Sequence, residues 1–221
     1  MDYMQGKHNP QQQQQSTRSS LPYLTLALGG GSIAIYYLWG KWNYQRAHRS
    51  FVFSEMNVLA NKNYQSIILN PISYEQNLFF YLSFPGLLYS SYLIEKFLGF
   101  RYLLGAYVLN SLVSAATTAL YHRQIGFKKV QQRGRIANNN GNSALFLSTL
   151  FATFLPQYRI YGGKHMATTL FFYYLPIFYC MLFFTKHIAA SEYKYSRNDN
   201  ETHYSAVVLG LLMGLIARRK L

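Results

Sequence analysis

Cysteine and acidic residues are both scarce in this chain. Of 221 residues one is cysteine, Cys180, and seven are Asp or Glu. A lone thiol excludes a disulfide framework and a cysteine-based metal site, and Cys180 lies inside an apolar run, where it reads as a small buried side chain. No pair of carboxylates falls inside an apolar segment, which argues against a proton-coupled transporter. No phosphate-binding glycine loop and no pair of histidines on facing apolar segments is present, so neither a nucleotide nor a haem is expected. We expect no cofactor and no metal.

Charge of either sign is scarce at 13%, about half the usual share of a soluble domain, while 50% of residues are apolar and 18% aromatic. The formal charge of +14 comes from basic residues scattered between apolar runs, with the largest cluster in HRQIGFKKVQQRGR, residues 122–135. No nucleic-acid motif accompanies them. Anionic lipid headgroups, or an acidic partner surface, account for them more simply.

Residues 1–20, MDYMQGKHNPQQQQQSTRSS, form a polar, Gln-rich tail expected to be disordered unless a partner holds it. It has neither the apolar core nor the cleavage site of a signal peptide. Six apolar segments follow at about 21–40, 77–94, 102–121, 142–155, 167–185 and 203–217, with a kink expected at Pro85-Gly86. The pattern predicts an all-α membrane protein, a bundle of six spans, with five spans as the competing count. The fourth and sixth are short, about 22 Å for fifteen helical residues, and suit a thinned bilayer or shielding by neighbours. Lys and Arg are nearly even between the two sides, so orientation stays open. The connection from Lys41 to Gln76 is amphipathic and is expected at the membrane surface. Tyr36, Tyr37, Trp39 and Trp42 fit an interfacial aromatic belt.

The candidate chemistry sits at the mouths of two spans. In ETHYSAVVLGLLMGLIARR, residues 201–219, His203 heads a stripe continued by Gly210 and Gly214. Glycines on that stripe let a neighbouring helix approach closely, with the imidazole aimed into the contact. In NNNGNSALFLSTL, residues 138–150, Ser143 stands where a polar turn becomes an apolar helix. Amides at a helix start favour developing negative charge, and a hydroxyl beside one histidine is a minimal nucleophile and base. A capping serine is the plainer reading of the same residue. His122, His165 and His187 fall at segment ends or in loops and read as solvated or interfacial.

A third stretch, LIEKFLGFRYLLGAYVLNSL, residues 93–112, carries Glu95, Gly99 and Arg101. Glu-x3-Gly-x-Arg, then Gly141-x-Ser143, then His203-x6-Gly210-x3-Gly214, in that order on successive apolar segments, resembles the rhomboid superfamily of intramembrane serine proteases over residues 77–217. The resemblance implies a Ser143–His203 dyad, with Gly141, Ala206, Gly210 and Gly214 as close-packing positions. It also implies a degenerate site. The family's oxyanion-stabilising histidine and asparagine on the second helix correspond to Phe79 and Ser83, the glycine after the nucleophile is Ala144, and the aromatic that stacks on the base is Leu147. Losing one preorganised oxyanion donor costs about 10²–10³ in rate. Two functions stand side by side. One is an inactive, rhomboid-like accessory subunit of a large membrane complex, for which composition and the Gln-rich tail suggest a respiratory or ATP synthase assembly of the mitochondrial inner membrane. The other is an active protease in which His203 takes the Ser143 proton. A derlin-like client-handling protein shares the scaffold without needing the dyad.

Overall fold

The computed structural model describes residues 21–54, 57–58, 61–74, 77–125, 141–154 and 200–219. All regular structure among them is helical. The helices are α1 (Tyr23–Lys41), α2 (Tyr44–Phe51), α3 (Gln65–Leu69), α4 (Asn77–Leu98), α5 (Phe100–Ile125), α6 (Ser143–Phe154) and α7 (Asn200–Arg219), with one 3-10 turn at Asn70–Ile72. Five of the six expected apolar segments are thus helices. The segment at 167–185, the Gln-rich tail, most of the basic cluster, Cys180, His165 and His187 lie outside the described residues. Among the described residues one helix, over Phe100–Leu120, is long and apolar enough to cross a membrane by length and composition. Helix α4 runs through Pro85, where a kink is expected. The ring removes one amide donor from the ladder, and Pro85 stands on an exposed face of the helix.

Helix α6 is the axis of the bundle. Every residue from Ser143 to Phe151 is buried, because α4, α5 and α7 pack around it, with α7 in the most extensive contact. A twelve-residue helix is about 18 Å long, and α6 presents no polar face. Its Thr hydroxyls are satisfied locally: Thr149 donates to the Leu145 carbonyl at 2.7 Å, and Thr153 to the Thr149 carbonyl at 2.8 Å. Ser91, Ser111, Thr117 and Thr118 use the same bond to the preceding turn.

The surrounding helices distribute polarity in an unusual way. Their inward faces carry Ser83, Ser90, Asn110, Ser114, Thr202 and His203, all buried. Their outward faces carry Ile33, Tyr81, Leu112, Val208, Leu212 and Ile216, all exposed, with Ile216 at 55%. Ser90 and Ser148 meet between α4 and α6 with their hydroxyl oxygens 3.1 Å apart.

The Glu95 side chain closes the end of the bundle away from Ser143. Its carboxylate accepts from the Leu24 amide at 3.1 Å, the Thr25 amide at 2.8 Å and the Thr25 hydroxyl at 2.7 Å. These are first-turn donors of α1, whose own N-cap position is Pro22 with no side-chain cap. A carboxylate from α4 therefore does the capping across the helix pair, where the helix dipole also favours a negative charge. Gly99 follows as the turn between α4 and α5 with φ +88°, a conformation that glycine adopts at least cost. Arg101 is exposed. Replacing Glu95 with Ala should lower stability by roughly 1–2 kcal/mol, the range for a lost cap. Lys96→Ala, one residue on and exposed, should change little; thermal unfolding of the two variants checks this.

Candidate functional site

The site is built where α6 begins. The Asn142 carbonyl accepts from the Phe146 amide at 3.0 Å and opens the helix. The Asn142 side chain turns away from its own helix. Its amide nitrogen donates to the Ser114 hydroxyl and, at 3.1 Å, to the Thr202 carbonyl, while its oxygen accepts from the Asn110 amide at 3.1 Å. One carboxamide thus ties α5, α6 and α7 together. Asn110 is fully buried, and its remaining oxygen has no hydrogen-bond partner. An Asn–Asn bond in an apolar interior fixes the axial register of neighbouring helices, since sliding either would strand both amides.

Ser143 is the first residue of α6 and is fully buried. Its hydroxyl donates to the Pro71 carbonyl at 2.6 Å. Gly141, with φ +29°, lies under the Tyr74 ring, where a Cβ would stand 2.6 Å from Cζ and 3.0 Å from the Pro71 oxygen. The chain segment from Pro71 to Tyr74 therefore lies over the start of α6. It is held from its other side as well: the Trp39 indole donates to Ser73 Oγ at 2.8 Å, Tyr74 meets Phe80 edge-on at 5.9 Å, and Tyr107 donates to the Ile68 carbonyl at 2.6 Å.

His203 sits in the first turns of α7 and is 3% exposed. Below it Ala206, Gly210, Gly214 and Ala217 form the buried stripe of that helix. The glycines meet main chain. A Cβ on Gly210 would stand 2.7 Å from the Phe146 carbonyl oxygen, and one on Gly214 would stand 2.8 Å from that of Leu150 and 2.6 Å from Thr153 Cβ. Helices α6 and α7 touch backbone to backbone, and no larger residue fits. On another side of α7, Tyr102 donates to the Met213 carbonyl at 3.1 Å.

The structure brings Ser143, Gly141 and Pro71 together, and it runs the His203 stripe along α6. Ala144 and Leu147 are buried on α6, and Ser83 is buried on α4. Phe79 lies on α4. Glu95, Gly99 and Arg101 belong to the far end, about 22 Å away for the fifteen or so residues of α4 that separate them from the site. Their roles are a cap, a turn and an exposed charge.

A serine hydroxyl has one proton. Here it goes to a main-chain carbonyl, so transfer to an imidazole requires Ser143 to rotate off Pro71. Residues that sequence reasoning passed over carry most of the site: Asn110, Ser114, Asn142, Thr202, Pro71 and Tyr74. A signal was available for two of them, because Asn110 and Ser114 are polar, four apart, in the middle of an apolar run. No family model, curated protein or solved structure matches the chain.

Gly210→Ala and Gly214→Ala should each lower stability by about 1–3 kcal/mol, the usual cost of overpacking. Gly30→Ala on α1, where a Cβ meets nothing within 4 Å, should be neutral or stabilising by up to about 1 kcal/mol. Unfolding curves of the three variants provide the check.

Proposed function

We propose that this chain is a multi-pass membrane protein on a rhomboid-like scaffold whose serine site is shut, and that it serves as a non-catalytic subunit of a larger membrane assembly. Bilayer insertion is supported by the polarity of the bundle. Exposed faces rich in leucine, isoleucine, valine and tyrosine surround an interior in which Ser, Thr, Asn and His are buried among Leu, Phe and Ala, an arrangement that suits hydrocarbon solvent, since the polar groups sit inside where they can pair while the outer apolar faces need no water. The rhomboid-like reading rests on the order of the motifs and on the close contact of α6 and α7 through Gly210 and Gly214.

The observation that carries the non-catalytic reading is the Ser143–Pro71 bond beneath Tyr74. A nucleophile needs its hydroxyl proton directed at a base, and an acyl substrate needs open space beside it. At this site the proton is spent on a carbonyl, and a main-chain segment covers the helix start. A structural role in a mitochondrial inner-membrane respiratory or ATP synthase complex agrees with the composition, which is rich in Tyr, Phe, Asn and Gln and low in acid. The competing reading, an intramembrane protease using Ser143 and His203, draws on their common burial at the heads of two tightly packed helices. It requires the 70–74 segment to move.

A fluorophosphonate probe should leave the folded, detergent-solubilised protein unlabelled. Labelling that disappears in Ser143→Ala would establish the protease instead. Mild extraction from native mitochondrial membranes should recover the chain in a particle with other subunits. Recovery as a free monomer would refute the assembly role.

A further inference from the structure

A groove of about 600 Å³ opens at the junction of α1, α2 and α4. It is lined by Tyr36, Tyr37, Trp39, Lys41, Trp42 and Tyr44, with Gly40 and Asn77 completing the rim. We propose that this groove is a binding site for one anionic phospholipid, with the phosphate held between Lys41 and Arg46 and the glycerol and upper acyl chain against the aromatic rings. The inference rests on the membrane reading above and is independent of whether Ser143 is active.

Three features support that occupant. First, the charge at the groove is cationic: Lys41 lines it, and Arg46 and Arg49 stand beside it on α2. Lys41 Nζ lies 5.6 Å from the Tyr37 ring centroid, and the Arg46 guanidinium stacks 4.2 Å from that of Trp42. Arg49 is exposed one turn further along α2. No carboxylate lines the groove among the described residues. A phosphate diester complements this set, and a zwitterionic headgroup brings a cation that the groove would repel. Second, the walls are amphipathic rings. Tyr37 is 61% and Tyr44 49% exposed, and Tyr and Trp at the end of an apolar helix match the polarity change between headgroup and chain. Third, the shape is built. Trp42 stacks on Phe51 at 5.4 Å, the Asn43 side chain caps α2 by accepting from the Arg46 amide at 2.8 Å, and Tyr36 donates to Asn77 at 2.9 Å. Helix α2 buries Ala47 and Phe51 and turns its basic side chains outward, the posture of a helix lying along a membrane surface.

The two tryptophans of the chain, Trp39 and Trp42, both line this groove, so fluorescence excited selectively at tryptophan reports on it. The test is quenching of full-length protein in detergent micelles by acyl-brominated phosphatidylglycerol, compared with acyl-brominated phosphatidylcholine. The anionic lipid should quench at a lower mole fraction, by about fivefold for each cation engaged. Lys41→Glu with Arg46→Glu should abolish that preference. Lys96→Glu, which reverses a cation beside Tyr92 at the opposite end, should leave it intact, and inorganic phosphate should not compete. Equal quenching by the two lipids would overturn the site and leave membrane insertion standing, and no quenching by either would overturn both. Competition by inorganic phosphate, or an equal loss in Lys96→Glu, would also overturn it, the first as a free-anion site and the second as general surface charge.

Discussion

Backbone contact between α6 and α7 is the constraint on which the rest of the bundle depends. Gly210 and Gly214 bring α7 against the carbonyls of Phe146 and Leu150, and that approach seals one whole side of α6. With α4 and α5 on its other sides, a twelve-residue helix loses every exposed face. A helix this deeply buried cannot leave side-chain polar groups unsatisfied, which is why its threonines bond to the preceding turn, its serines to Pro71 and Ser90, and why Asn142 reaches across to α5 and α7 instead of capping its own amides.

The same closeness shapes the chemistry of the helix start. Once α5, α6 and α7 are drawn together around Asn142, the remaining opening above Ser143 is narrow, and the Pro71–Tyr74 segment fills it. The contact is reciprocal. Gly141 has to lack a side chain for Tyr74 to sit there, and Pro71 offers the carbonyl that takes the Ser143 proton. An arrangement that looks like a catalytic head in one dimension is used in three dimensions as an anchor for the connection between α1 and α4. On the proposed reading, the scaffold keeps its packing glycines while the hydroxyl serves structure.

Polarity is organised by end as well as by layer. One end carries the Glu95 cap on α1 and the Gly99 turn. The other gathers the aromatic groove, the basic face of α2 and the covered serine. Tyr36 and Trp39 link these last features, since the former bonds to Asn77 at the head of α4 and the latter to Ser73 within the covering segment. A ligand in the groove would therefore bear on residues two steps from Ser143.

Periodicity and local chemistry are legible in a sequence, and they determined a good deal. The apolar runs became helices at five places, with ends shifted by a few residues. The stripe from His203 through Ala206, Gly210 and Gly214 is a buried stripe, because side chains three, four and seven apart must share a helix face whatever surrounds it. What α7 would press against, which donors Glu95 would serve seventy residues away, and where the Ser143 proton would go are questions about partners distant in the chain. Those partners, Phe146, Thr25 and Pro71, carry no local mark of their roles. Only the tertiary structure decides them, since a hydrogen bond or a close approach between remote segments depends on the packing of everything between.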